Sequence, residues 1–290
     1  IKMLSEETGA QLSNFLLMIV SPCVILKAFQ IDFDKNLAVG LLISTGLAVI
    51  THITGIIASK LFIRKNSESK DYILERFATV YSNCGFMAIP LIMAILGDRG
   101  VFYSSCYIAV FNIFQWTHGV VSMDSSKAKI NIFKILLSPP IISIAVGLII
   151  FIFSVRLPSF ISQPIKFISD LNTPLAMVIT GIYIARTNIF SSFLEKRIYW
   201  VSFLRLLLVP AVMISIFMFF DKSNESFVVI ATANLIAAAC PSAASTLMMG
   251  RRFNLNAEYA SKIVTVTTLL SIITLPIILW LMSLTMGILK

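Results

Sequence analysis

The chain has 290 residues, of which 58% are hydrophobic and 13% are charged, and its mean hydropathy is +0.91. A soluble domain carries about 25% charged residues, so this composition excludes an ordinary soluble protein and places the chain in a lipid bilayer. The net charge of +9 does not indicate a nucleic-acid partner, because the basic residues fall between apolar segments, as in the loops of membrane proteins.

Nine apolar segments follow one another along the chain, each long enough to cross a bilayer as a helix. The predicted spans lie at about residues 10–29, 37–62, 73–97, 100–122, 131–154, 158–184, 199–220, 226–249 and 258–287. The sequence therefore predicts an all-α polytopic membrane protein, located in a plasma membrane or a bacterial inner membrane.

The loops between these spans alternate in their content of basic residues. Lysines and arginines number 14 in one set of alternate loops and 7 in the other, with Arg76 and Arg205 unassigned near span ends. The richer set includes the loop at residues 64–70, and the positive-inside rule places this set in the cytoplasm.

The third span contains residues that weaken a helix. Gly85 and Pro90 both disfavour a continuous helix, and Asn83 adds an amide nearby. A proline in mid-helix also leaves the carbonyl four residues earlier, here that of Phe86, without its usual donor. The segment therefore predicts a broken helix whose second half begins at Pro90.

Acidic residues are rare in the apolar segments. Asp170 lies four residues before Pro174, inside or at the edge of the sixth span. An intramembrane carboxylate is a candidate proton carrier, so Asp170 is a candidate coupling residue, although its polar neighbours favour a wet helix edge. Glu75 and Arg76 are predicted to form an interfacial pair at the start of the third span.

The eighth span repeats the features of the third. Asn234 lies seven residues before Pro241 (241 − 234), as Asn83 lies seven residues before Pro90 (90 − 83). A second broken helix is therefore predicted, with its second half beginning at Pro241. The candidate site residues at this second break are Asn234, Cys240, Pro241 and Ser242.

The spacing between these landmarks predicts an internal repeat. The offset is 151 residues for both members of the pairs (234 − 83 and 241 − 90), and 152 residues between Pro22 and Pro174. An odd number of crossings per unit turns the second unit upside down relative to the first. We therefore predict two inverted five-helix repeats, in residues 1–122 and 131–290. Ten spans against nine counted would place the first helix before residue 1.

Two broken helices at equivalent positions indicate the substrate site of a transporter. The half-helix after each break points its partial positive end into the break, which favours an anion. The freed carbonyls of the preceding half could hold a cation. The alternative is a pair of proline kinks whose asparagines bond across helices, and the matched spacing favours a functional site.

The segment Ser82-Asn-Cys-Gly-Phe-Met-Ala-Ile-Pro-Leu91 resembles the Asn-x-Gly-Phe-x-Gly-Ile-Pro signature of the auxin efflux carrier family, with Ala88 where glycine is common. Further similarities are Ser138-Pro-Pro-Ile-Ile142 with Gly147, Pro174-Leu-Ala-Met177 with Gly181, and Cys240-Pro-Ser-Ala-Ala244. The resemblance implies two inverted five-span repeats, broken fourth and ninth helices that cross near mid-membrane, and a scaffold part beside a moving transport part. It also implies transport of an organic anion such as auxin, malate or malonate. On this pattern Asn83, Pro90 and Pro241 are crossover residues, whereas Asn234 depends on the internal symmetry.

A channel or receptor and a membrane-embedded enzyme are the alternative functions. The sequence shows no pore-loop or charge-ring pattern typical of channels. It also contains no P-loop, HExxH or GxSxG motif and only two histidines, so no catalysis, metal site or cofactor is predicted. The predicted partners are a small organic anion and the lipid bilayer. Proton or sodium coupling and a homodimer stay open.

Overall fold

The computed structural model describes residues 6–65, 69–123, 133, 136–220 and 224–286, which are helical with no β-strand among them. In chain order, α1 comprises Glu6–Phe15, the π-helical turn Leu16–Val20 and Ser21–Ala28, α2 is Lys35–Phe62, α3 is Asp71–Val80, α4 covers residues 84–96, α5 covers residues 98–123, α6 is Pro139–Ile152, α7 is Ser159–Asp170, α8 is Asn172–Arg186, α9 is Ile189–Phe193, α10 is Lys196–Phe217, α11 is Glu225–Ala239, α12 is Ser245–Arg252 and α13 is Ala257–Met286.

The outer boundaries of the helices agree with the predicted spans to within a few residues, except at the fifth span, and the predicted sixth span is divided into α7 and α8 at Leu171. The fifth span was predicted from residue 131, whereas α6 begins at Pro139, and half of the residues between lie outside the described part. Five helical stretches among the described residues are long and apolar enough to cross a membrane. Gly97 separates α4 from α5 with φ 62° and ψ −158°, a conformation that glycine adopts without steric cost.

Three π-helical turns lie directly before a proline. The turns Leu16–Val20, Cys84–Ala88 and Leu204–Leu208 end two residues before Pro22, Pro90 and Pro210. In each case the residue four positions before the proline lies in the turn, and the wider turn moves its carbonyl away from the proline ring. These three prolines therefore widen a helix without ending it.

The helices pack in two groups. The first group contains α1, which lies against α6, α7 and α8, and the second contains α2 to α5 together with α10 to α13. α4 and α5 also contact the first group. In the second group a long helix, a broken pair and another long helix occur twice, as α2, α3–α4, α5 and as α10, α11–α12, α13. The inversion of one repeat relative to the other stays a prediction.

Candidate substrate site at the helix crossing

The two broken helices meet at their breaks, where Ser82 and Ser242 form an antiparallel bridge. The backbone N–H of Asn83 donates to the carbonyl of Pro241 at 2.8 Å, and the N–H of Ala243 donates to the carbonyl of Tyr81 at 2.9 Å. Unpaired backbone groups are costly inside a membrane, and here each break supplies the partners of the other. We call this bridged region, residues 81–83 and 240–244, the crossing.

The half-helices after the crossing begin at residues other than those predicted. α4 begins at Cys84, six residues before Pro90 (90 − 84), and the N–H groups of Met87 and Ala88 donate to the carbonyl of Asn83 at 3.0 and 3.3 Å. α12 begins at Ser245, four residues after Pro241 (245 − 241). The prediction that both half-helices begin at the prolines is therefore wrong, because Pro90 is accommodated inside a helix while Pro241 lies in an extended segment.

Asn83 and Asn234 do not occupy equivalent positions. Asn83 lies in the crossing, whereas Asn234 lies within α11, where its buried side chain donates to Ser44 Oγ on α2 at 2.8 Å and to the carbonyl of Ile230 at 2.9 Å. The bridged serines are 160 residues apart (242 − 82), so the predicted offset of 151 is wrong at the crossing. Asn234 instead joins α11 to α2.

A cavity of about 430 Å³ lies beside the crossing. Its walls come from α1, the start of α6, α5 and the starts of α4 and α12. The polar or charged side chains that line it are Asn14, Ser21, Ser82, Asn83, Asn112, Gln115, Ser138, Ser245 and Arg252. Within the described part of the chain, no aspartate or glutamate lines this cavity.

Three features make the cavity electropositive. The first turns of α4 and α12 both line it, and each carries the partial positive charge of a helix N-terminus. Arg252, in the last turn of α12, also lines the cavity, and its guanidinium carbon lies 5.4 Å from the centroid of the Trp116 ring. The arrangement therefore favours an anion.

Asn83 offers an amide that is not used by the protein. Its residue is only 6% exposed, and its side chain forms no hydrogen bond with the described residues. Two other cavity amides are used by the protein, since Gln115 Oε1 accepts from Ser245 Oγ at 2.6 Å and Asn112 Nδ2 donates to the carbonyl of Ile108 at 2.8 Å, and the third, that of Asn14, is exposed rather than buried. Asn83 is thus the buried amide best placed to bind a polar ligand group.

Of the predicted site residues, the structure brings only Asn83 and Gly85 to the cavity. An alanine at position 85 would place its Cβ 3.6 Å from Leu17 Cδ2, an ordinary contact, so Gly85 is not required by lack of space. The other predicted residues at the two breaks lie away from the cavity wall, namely Pro90, Asn234, Cys240, Pro241 and Ser242. Ser242 acts structurally, because its Oγ donates to the carbonyl of Ala78 at 3.1 Å.

Asp170 is not brought to the crossing. Its side chain is 53% exposed at the end of α7, where it lies 4.0 Å from the ammonium of Lys27 and 3.9 Å from that of Lys166. This setting agrees with a solvated helix edge, and it gives the carboxylate no contact with the cavity lining.

Sequence reasoning missed two residues that shape the site. Arg252 is one of the 14 basic residues counted for orientation and was not predicted as a site residue, and Asn14 in α1 was not singled out. The signal for Arg252 was its position directly after a broken apolar span, at the end of a half-helix that starts in the membrane.

Broken helices that meet beside a cavity, inside a bundle of apolar helices, define a multi-pass membrane transport protein. The chain belongs to the membrane transport protein family, whose model matches residues 1–279, and this confirms the resemblance to auxin efflux carriers. It is also similar to an uncharacterized transporter of Methanocaldococcus jannaschii, with 21% identity over an alignment of 298 positions that covers 96% of this chain and 91% of that protein.

Proposed function

We propose that this transporter moves a small organic anion, such as a carboxylate, by alternating access at the crossing. The observation that carries the proposal is the cavity itself, which joins two half-helix N-termini, Arg252 and the unpaired amide of Asn83, with no acidic residue among its described lining. Two helix N-termini supply about one positive charge together, enough to balance one carboxylate.

The cavity also has an apolar side. Leu17 and Met18 of α1 and Pro139 of α6 also line it. A carboxylate would bind at the positive side while its hydrocarbon part contacts these residues. Because residues of both helix groups line the cavity, movement of one group against the other would carry the bound anion between the two sides of the membrane.

An ion pair at the far end of α1 is placed to close one side. Lys27 Nζ of the first group lies 3.4 Å from Asp98 Oδ1, at the turn between α4 and α5 of the second group. In the orientation that the basic residues predict, this pair lies outside and Arg252 lies toward the cytoplasm. The structure would then be an inward-facing state.

Replacing Asn83 with alanine should weaken carboxylate binding about five- to thirtyfold, the loss expected for one hydrogen bond to a charged group. Folding should survive, because the backbone bonds at the crossing do not need this side chain. Binding is measured by thermal shift and by calorimetry with a panel of small carboxylates. Counterflow in proteoliposomes then separates a carrier from a channel.

The matched control is Asn234→Ala, which removes a buried amide of the same size that does not line the cavity. This variant should lower the melting temperature, through loss of the bond to Ser44, and leave the dissociation constant unchanged. Unchanged binding in Asn83→Ala, or equal losses in both variants, would contradict the site.

The two ends of α2 provide a test of orientation. Lys35 and Lys65 are exposed at its opposite ends, and the positive-inside rule places Lys65 in the cytoplasm. In a variant whose native cysteines are replaced, Lys35→Cys should react with an impermeant thiol reagent on intact cells, and Lys65→Cys should react only after lysis. The reverse pattern would invert the proposed orientation.

A further inference from the structure

Arg205 is a charged side chain in the middle of an apolar helix. It lies in the π-helical turn Leu204–Leu208 of α10, between leucines on both sides, and its residue is 0% exposed. A charge inside a membrane span is costly and therefore marks a functional position by default. Among the described residues no carboxylate forms an ion pair with it.

The guanidinium of Arg205 binds backbone carbonyls from both broken helices. Nη1 donates to the carbonyls of Thr79 at 3.1 Å and Val80 at 3.2 Å, at the end of α3. Nε donates to the carbonyl of Cys240 at 3.1 Å, and Nη2 donates to that of Ala238, at the end of α11. One side chain therefore joins the C-terminal ends of both half-helices that precede the crossing.

The charges at these helix ends balance the arginine. Each helix C-terminus carries about −0.5 elementary charge, so two of them supply about −1 opposite one guanidinium. The four half-helix ends at the crossing are thus sorted by sign, with the two negative ends on Arg205 and the two positive ends at the cavity.

Carbonyls at broken helix ends are the groups that coordinate a sodium ion in transporters that use one. We propose that Arg205 is a built-in cation which occupies such a site, so that the half-helices are aligned without a bound metal ion. The proposal assigns a latent monovalent-cation site, formed by the carbonyls of Thr79, Val80, Ala238 and Cys240, which removal of the guanidinium would open. It rests on the proposed function only in treating the crossing as the transport site.

The test is thermal stability of the full chain in NaCl and in choline chloride at equal ionic strength. The wild-type protein should melt at the same temperature in both salts. Arg205→Ala should melt lower in choline, because four buried carbonyls lose their donors, and sodium should restore part of the loss in a saturable way. A site with a dissociation constant of about 10 mM would give about 3–5 °C at 100 mM sodium.

If Arg205→Ala does not fold, two other substitutions at position 205 test the same proposal. Arg205→Lys retains a cation and should show no difference between the salts, whereas Arg205→Gln is neutral and should be stabilised by sodium. Equal melting temperatures of Arg205→Gln in both salts, or sodium stabilisation of the wild type, would overturn the proposal. Asn83→Ala separates this result from the proposed function, since it should weaken carboxylate binding and keep the wild-type response to salt.

Discussion

Arg197→Ala is expected to lower the melting temperature by about 6–12 °C, the shift that corresponds to roughly 3 kcal/mol in a chain of this size. The reason is the carboxylate of Glu75 on α3, whose side chain is only 3% exposed. Arg197 Nε lies 2.9 Å from Glu75 Oε1, and its Nη2 donates to Oε2 at 3.0 Å. Without this guanidinium a buried negative charge would keep only the hydrogen bond from the Tyr259 hydroxyl, at 2.8 Å.

The expected loss of stability in Arg197→Ala depends on how exposed the two partners of the ion pair are. Breaking a buried ion pair from one side costs about 3–5 kcal/mol, and the lower end applies because Arg197 is 47% exposed and water can reach the carboxylate once its side chain is gone. Adding Glu75→Gln should recover part of the loss, because the amide carries no charge. Lys196→Ala, at the exposed neighbouring position, is the control. An Arg197→Ala protein as stable as this control would contradict the assignment.

The same network corrects the predicted pair of Glu75 with Arg76. Adjacent residues on a helix point in different directions, so they rarely face one another. Arg76 instead donates from Nε and Nη2 to the carbonyl of Ile63, at 3.1 and 2.5 Å. Glu75 joins α3 to α10 and α13, and the partners on those helices lie 122 and 184 residues away in sequence, where no local pattern could indicate them.

The helices were predictable because the length of an apolar run is a local property of the sequence. The class of protein was predictable too, since Asn83, Gly85 and Pro90 lie within a short family signature that the matching family model supports. Asn83 also lies in the cavity wall, as expected of a site residue, although its role in binding is still a proposal.

The exact register of the crossing was not predictable. A proline shows that one hydrogen bond is missing, but it does not show whether the helix ends or widens by one residue per turn. The helix widens before Pro90 and has already ended before Pro241, so equal spacings to Asn83 and Asn234 did not mean equal positions. Likewise Arg205 could be seen as a charge in an apolar run, but its four carbonyl partners come from two other helices.

Arg252→Gln is expected to weaken carboxylate binding about 10- to 100-fold, which makes it the largest expected effect on transport. Arg252 is the cationic side chain of the described cavity lining, and the helix N-termini beside it are only partial charges. Calorimetry should show the loss, and counterflow should fall with it. The melting temperature should change little, because Arg252 is exposed and its main described contacts are with the rings of Trp116 and Phe253.

Arg251→Gln is the matched control, because it removes the same charge from the preceding position, which does not line the cavity. If only the general positive potential near α12 mattered, both variants would weaken binding equally and high salt would remove the effect of both.

Arg252→Lys adds a second distinction, since lysine keeps the charge but loses the planar fork that binds a carboxylate through two hydrogen bonds. Binding should therefore fall in the order wild type, Arg252→Lys, Arg252→Gln. Equal dissociation constants for Arg252→Gln and Arg251→Gln would remove Arg252 from the site and leave the helix ends and Asn83 as the anion-selecting groups of the described cavity lining.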